Sequence, residues 1–195
     1  SVSNMGYAFQ KAKFTGQKAL YYYRRAGMPS RSIQNVVRAI AFAEIMRNNF
    51  EEARQLVDET ETLPDRDLLE YASSRAEFHL FSGDYHGALA AISSLDPAAH
   101  ACAENDYEAV TRFFGNDLRL KILWQLCDFP ALAQAASALF EAGSMNAPAM
   151  AQAHAMAAAA AAVEGNRQAQ TDGFARAVFF ADQARNDLNS IDILR

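Results

Sequence analysis

Residues 68–95, LLEYASSRAEFHLFSGDYHGALAAISSL, constrain the fold more than any other stretch. Ala72, Ala76 and Leu80 recur every four residues, which is the spacing of one helical face. Gly83 stands where a helix ends on a left-handed residue, a conformation glycine takes without a Cβ clash. Asp84 is placed to cap the next helix by accepting from its free N–H groups, and Tyr85 to fill the corner. Ala88 then falls opposite Ala76, where two small side chains let the helix backbones approach. The stretch predicts a helical hairpin.

The same order occurs 35 residues earlier. Val37, Ala41 and Ile45 share a face, Asn48-Asn49-Phe50 makes the turn, and Ala53, Leu56 and Val57 follow. Phe50 aligns with Tyr85, Ala53 with Ala88 and Ala41 with Ala76. A third copy carries Leu120, Leu123 and Trp124, the turn Cys127-Asp128-Phe129, then Ala133, Ala136 and Leu139. Pro130 suits the first helical turn, where its missing N–H would be unpaired anyway. A fourth carries Ala158 and Ala161, the turn Gly165-Asn166-Arg167, then Phe174 and Ala177.

Four hairpins at this spacing resemble the tetratricopeptide repeat. Asn49-Phe50-x-x-Ala53 and Asp84-Tyr85-x-x-Ala88 carry the resemblance. It implies an all-α, right-handed superhelix of about four antiparallel hairpins plus capping helices, with clear repeats at about 33–63, 68–97, 116–142 and 150–180. Residues 7–195 are then one solenoid domain. Residues 1–6 look like an appended or disordered start, which suggests a piece of a larger protein.

Composition agrees with an all-α chain. Half the residues are hydrophobic (51%), glycine and proline number 9 and 5, and β-branched runs are absent. Residues 7–27 predict a first helix, broken at Gly16 and ended by Gly27-Met28-Pro29, with Ser30 or Ser32 capping the next. Successive residues lie ~100° apart on a helix, so Tyr21, Tyr22 and Tyr23 cannot all be buried together. The hairpins are expected at 31–47 with 50–62, 66–82 with 85–95, 117–127 with 129–142, and 149–164 with 167–187. One more helix is expected within 98–113. Gly115-Asn116-Asp117 is expected to begin the third hairpin, residues 143–148 to link the last two, and residues 189–195 to be a cap fragment or frayed.

A narrower likeness covers less of the chain. Gly83-Asp84, Asp96-Pro97-Ala98-Ala99-His100, Phe114-Gly115-Asn116-Asp117 and Leu123-Trp124 followed by Phe129-Pro130 occur in that order. This is similar to the helical repeat region behind the ATPase module of bacterial ATP-dependent transcriptional regulators and adenylate-cyclase-linked ATPases. The glycine expected near Cys127 is absent. The likeness implies an interaction or sensing arm whose catalytic or DNA-binding parts lie elsewhere.

Charge is uneven. Residues 1–47 hold eight lysines and arginines against Glu44 alone, while the net charge of the whole chain is −5. A basic end can dock an acidic partner or contact a neighbouring segment of a parent protein. These basic residues lack the glycine and aromatic interleaving of a single-strand binder, so direct nucleic-acid contact is not expected. No apolar run reaches the ~18–20 residues that span a bilayer. Cys102 and Cys127 make no disulfide framework, which favours a cytoplasmic setting.

Catalytic motifs are missing. The chain has no G-x-x-x-x-G-K-[ST], G-x-S-x-G, H-E-x-x-H or C-x-x-C. His100 and Cys102 are two apart and would not share a helical face. His79 is expected to be packed and hydrogen-bonded. No enzyme, cofactor or metal is expected.

The resemblance implies a concave groove lined by the first helix of each hairpin. Its positions fall on Asn35, Arg38 and Phe42, on Ser73 and Glu77, and on Asp117, Lys121, Trp124 and Gln125. Trp124, the single tryptophan, is either a groove anchor or packed on Leu120. The expected occupant is a protein or peptide, with self-association left open. The leading expectation is a non-catalytic interaction or ligand-sensing arm of a bacterial signalling or transcription regulator. The alternatives are a free-standing adaptor or assembly factor, for example in secretion, and an enzyme on a helical scaffold.

Overall fold

The computed structural model describes residues 2–93, 106–142 and 147–193. Among them the regular elements are all helices: α1 (Val2–Arg25), α2 (Ser30–Ile45), α3 (Phe50–Glu61), α4 (Leu68–Ser82), α5 (Tyr85–Ser93), α6 (Asp106–Gln125), α7 (Phe129–Ala142), α8 (Ala147–Val163) and α9 (Arg167–Ile193). The chain divides into two compact units, Ser1–Thr111 and Arg112–Arg195.

One turn geometry recurs in both units. Gly27, Asn48 and Gly83 in the first, and Cys127 and Gly165 in the second, have φ of 62°, 61°, 85°, 56° and 76°. After each, the next N–H reaches back five residues to a carbonyl. Met28 donates to Tyr23 (3.0 Å), Asn49 to Glu44 (2.9 Å), Asp84 to His79 (2.9 Å), Asp128 to Leu123 (3.1 Å) and Asn166 to Ala161 (2.8 Å). This is the Schellman closure, which satisfies carbonyls that a helix end leaves unpaired. The cap follows at once. Asp84 accepts from the Gly87 N–H (2.9 Å), Asp128 from Ala131 (3.2 Å) and Asn166 from Ala169 (3.1 Å). A Cβ on Gly87 would fall 2.1 Å from Asp84 Oδ2, so a larger residue there would make the Asp84 side chain shift, as the caps over Ala131 and Ala169 accommodate a Cβ.

In the first unit α1 packs on α2, α2 on α3, α3 on α4 and α4 on α5, and α2 also touches α4 directly. The four aligned alanines are buried as expected: Ala41, Ala53, Ala76 and Ala88. Leu20, Ile33, Val37 and Ile40 form a cluster joined by Tyr23, Leu56 and Leu63. In the second unit Leu120, Ile122, Leu132, Ala136 and Leu139 are buried, α7 packs on α8, and α8 packs on α9. There a Cβ on Gly173 would come within 2.8 Å of the Ala158 Cβ, so the last hairpin closes through a glycine–alanine contact.

Four boundaries differ from the sequence reading. Gly16 does not break α1; a Cβ there would meet Ile40 Cγ1 at 2.6 Å, so its glycine serves close helix packing. Gly115 does not begin α6, which is continuous from Asp106. Neither Ser30 nor Ser32 caps α2, whose N-cap is Pro29 with no side-chain bond. The tail is not frayed at residue 189, because α9 continues to Ile193. The segment 96–100, with His100, and Cys102 lie outside the described residues, as does most of the 143–148 link.

Candidate functional site

The α2–α4 contact builds a ladder that takes in three of the expected groove positions, Arg38, Phe42 and Glu77. Gln34 is buried, donates to the Asp67 carbonyl (3.2 Å), and accepts from the Asp67 N–H (2.8 Å). Asp67 caps α4 by accepting from the Glu70 N–H (3.0 Å). One turn on from Gln34, Arg38 reaches Glu70 at 3.0 Å and Glu77 at 3.3 Å. One further turn on, Phe42 meets Phe81 edge-to-face, with ring centroids 6.0 Å apart. Steps of four on α2 (34, 38, 42) thus meet increasing positions on α4 (67, 70 and 77, 81), so the two helices run in the same direction. Burial opposes the Arg38 charge, but Glu77 and Glu70 more than offset it.

The expected residues fare differently. Arg38 and Glu77 meet, and Phe42 lies one turn along the same face. Asn35 is exposed and lines a hollow between α1 and α2, beside Lys11, Thr15 and Ala39. Ser73 is 1% exposed, and its hydroxyl has no hydrogen-bond partner among the described residues. Ser73 lies on the buried part of α4 with Ala72, Ser74 and Ala76.

In the second unit Asp117 and Lys121 pair with each other at 2.6 Å across one helical turn of α6. Trp124 is half-buried and packs its edge on Phe129, the residue that follows the turn, with centroids 6.1 Å apart. Gln125 is exposed at the end of the helix.

Several cations of the basic N-terminal part are paired within the chain. Lys13 pairs with Glu44 and Glu52 (2.9 and 2.8 Å), Arg24 with Glu59, Arg38 with Glu70 and Glu77, and Arg47 with Glu44 (3.1 Å). Arg31 approaches Asp67 at 3.9 Å. Much of that positive charge is met by acids downstream in the same chain. These pairs span up to 39 residues, which is why local sequence patterns did not reveal them.

Titratable groups elsewhere are structural in their setting. His79 Nδ1 lies 3.0 Å from Asp84. The Gly87 N–H, with help from His79, holds the Asp84 carboxyl below its usual value. His154 is buried and stacked between Phe140 and Phe180, at centroid distances of 3.9 and 5.4 Å. Among the described residues no group of three or more His, Cys, Asp or Glu is placed to hold a metal, and no helix is long and apolar enough to cross a membrane. Compared with protein-family models, curated proteins and solved structures, the chain matches none.

Proposed function

We propose that this chain is a tetratricopeptide-like repeat module that holds a protein or peptide partner without catalysis, as the interaction or sensing arm of a bacterial signalling or transcription regulator. The observation that supports the module reading is the α2–α4 ladder. First helices of successive hairpins run side by side in one direction, and positions expected to face a groove, Arg38, Phe42 and Glu77, fall on that shared face. The recurring Schellman turn supports a repeated unit. The regulator assignment rests on the ordered sequence motifs around Gly83-Asp84 and Trp124. A groove of this kind recognises an extended or helical segment through a few anchors. Arg38 is already neutralised by two carboxylates, so the face offers its partner Phe42 and the rim of the acid pair rather than a bare cation, with Asn35 at its edge on the α1 side of α2.

The test is affinity capture with the full chain, comparing wild type with Asn35→Arg and Trp124→Ala. Asn35 is exposed, so its substitution should leave the helical circular dichroism unchanged. Loss of the same partner from either folded variant supports the reading. Retention of every partner by both overturns it.

A further inference from the structure

Helix α1 carries a row of exposed aromatics. Tyr7, Phe14 and Tyr21 are 71%, 69% and 58% exposed and stand seven residues apart. At 3.6 residues per turn a seven-residue step returns to nearly the same side, so the three form one stripe along the helix. Lys11, Lys18 and Arg25 stand four residues after each, about 40° further round, and form a parallel cationic row. Tyr22, also exposed, meets Tyr21 edge-to-face at 5.4 Å. Aromatics and cations thus alternate along this side of α1.

This row differs from the other cations of the first unit. Lys13, Arg24, Arg38 and Arg47 point to acids and are neutralised. Lys11 and Lys18 have no ion pair or hydrogen bond among the described residues, and Arg25 donates only to the Tyr21 hydroxyl, at 3.2 Å. Residues 1–43 contain no acid, so nothing on α1 itself opposes that charge.

We infer that the outer face of α1 is a second docking surface, and that its occupant is an amphipathic α-helix of a partner protein whose apolar seam is flanked by acids. A spacing of two helical turns matches the repeat of a helical seam, so apolar residues of a partner helix can seat between Tyr7, Phe14 and Tyr21. Glutamates beside that seam face Lys11 and Lys18. An antiparallel second copy is disfavoured, because it sets the lysine row of one α1 against that of the other. A polyanionic surface such as lipid or nucleic acid is disfavoured by the excess of acid in the remainder of the chain, where a net charge of −5 is reached despite the basic start. A single acidic helix is less affected, because physiological salt screens beyond about 8 Å. Lys11 shares a hollow with the groove residue Asn35, whereas Phe14 and Lys18 do not line it, so Phe14→Ser and Lys18→Glu separate this surface from the groove reading.

The probe is a fluorescein-labelled 21-residue synthetic helix with leucine at the seam positions and glutamate beside them. A second probe carries lysine in place of each glutamate. Binding to the full chain is followed by anisotropy, alongside vesicles containing phosphatidylglycerol and a single-stranded oligonucleotide. The expected result is saturable binding of the glutamate helix, at least tenfold weaker with Phe14→Ser, with Lys11→Glu/Lys18→Glu, and with the lysine probe. These side chains are exposed, so the variants keep their helical signal; Tyr7→Ser is a further variant on the same stripe. Absence of saturable binding, equal binding by all variants, or stronger binding to vesicles or oligonucleotide than to the glutamate helix would overturn the inference.

Discussion

The Lys13 ammonium lies 2.9 Å from the Glu44 carboxylate, and the Glu44 side chain has no exposed surface. Glu44 also accepts from Asn49 (2.7 Å) and pairs with Arg47 (3.1 Å), while Lys13 takes Glu52 on its other side (2.8 Å). One buried carboxylate thereby joins α1, the end of α2 and the turn into α3. It also explains why Asn49 does not cap its helix as Asp84, Asp128 and Asn166 cap theirs: its side chain is committed backward to Glu44. Burial pushes the Glu44 carboxyl up, but hydrogen bonds from Lys13 and Asn49 and the charges of Lys13 and Arg47 outweigh it, leaving the pKa below its ordinary value.

A lowered carboxylate pKa means the unfolded chain binds the proton more tightly. That part of the stability is present above the ordinary value of about 4.3 and is lost as pH falls through the folded value. Lys13 is raised, chiefly by its hydrogen bonds to Glu52 and Glu44; its contribution is present below about 10.4 and lost as pH rises through the folded value. Removing one member of an enclosed ion pair costs roughly 3–5 kcal/mol. Glu44→Gln is expected to fall at or just below the low end of that range at pH 7, because Lys13 keeps Glu52 and some water. Urea unfolding at pH 7 and pH 4 should show a smaller acid-induced drop for the variant than for wild type.

Gly16→Ala sets two effects against each other. Alanine favours the interior of a helix by about 1 kcal/mol over glycine. The added Cβ meets Ile40 Cγ1 at 2.6 Å, and Ile40 is buried and cannot withdraw. Overpacking of this kind costs about 1–3 kcal/mol, so a net loss is expected. Ile40→Ala in the Gly16→Ala background should destabilise less than Ile40→Ala alone, and denaturant midpoints of the four proteins measure that coupling.

Cys127 holds φ at +56°, where a side chain costs roughly 1–2 kcal/mol that glycine avoids. Cys127→Gly is expected to raise stability by about 1 kcal/mol, and Cys127→Val to lower it. The same Asn→Gly change at residue 48 should gain less, since asparagine tolerates that conformation. Thermal melts of the three variants provide the comparison.

His154 lies between two phenyl rings, and burial, with the charge of Arg176, lowers its pKa. The fold therefore favours the neutral ring. Its contribution is complete above the unfolded value of about 6.5 and declines as pH falls below it. His154→Phe is expected to flatten the stability profile between pH 5 and 7, measured by the melting temperature.

The turns were legible in the sequence because their requirement is local. A left-handed residue followed by Asn or Asp identifies a helix end wherever it occurs, even when cysteine holds the position. The buried alanines were legible for the same reason, through their fixed distance from the turn. Gly16 misled, because a glycine required by a neighbouring helix looks no different from one that breaks its own. The pairs Arg38–Glu77 and Lys13–Glu52 were not legible, since each joins residues 39 apart and depends on which helices lie together. Ser73 fell on an expected groove position, yet the approach of its neighbours buries it.

The account depends most on α2 and α4 lying side by side with Phe42 against Phe81. The direct measurement is cross-linking of Phe42→Cys/Phe81→Cys by a short bis-maleimide, whose span exceeds that of a disulfide, in a chain whose Cys102 and Cys127 are serine, read by mobility on a denaturing gel. Rapid, nearly complete intramolecular cross-linking that urea abolishes is the predicted result. A native chain that cross-links no faster than the urea-unfolded one would contradict it.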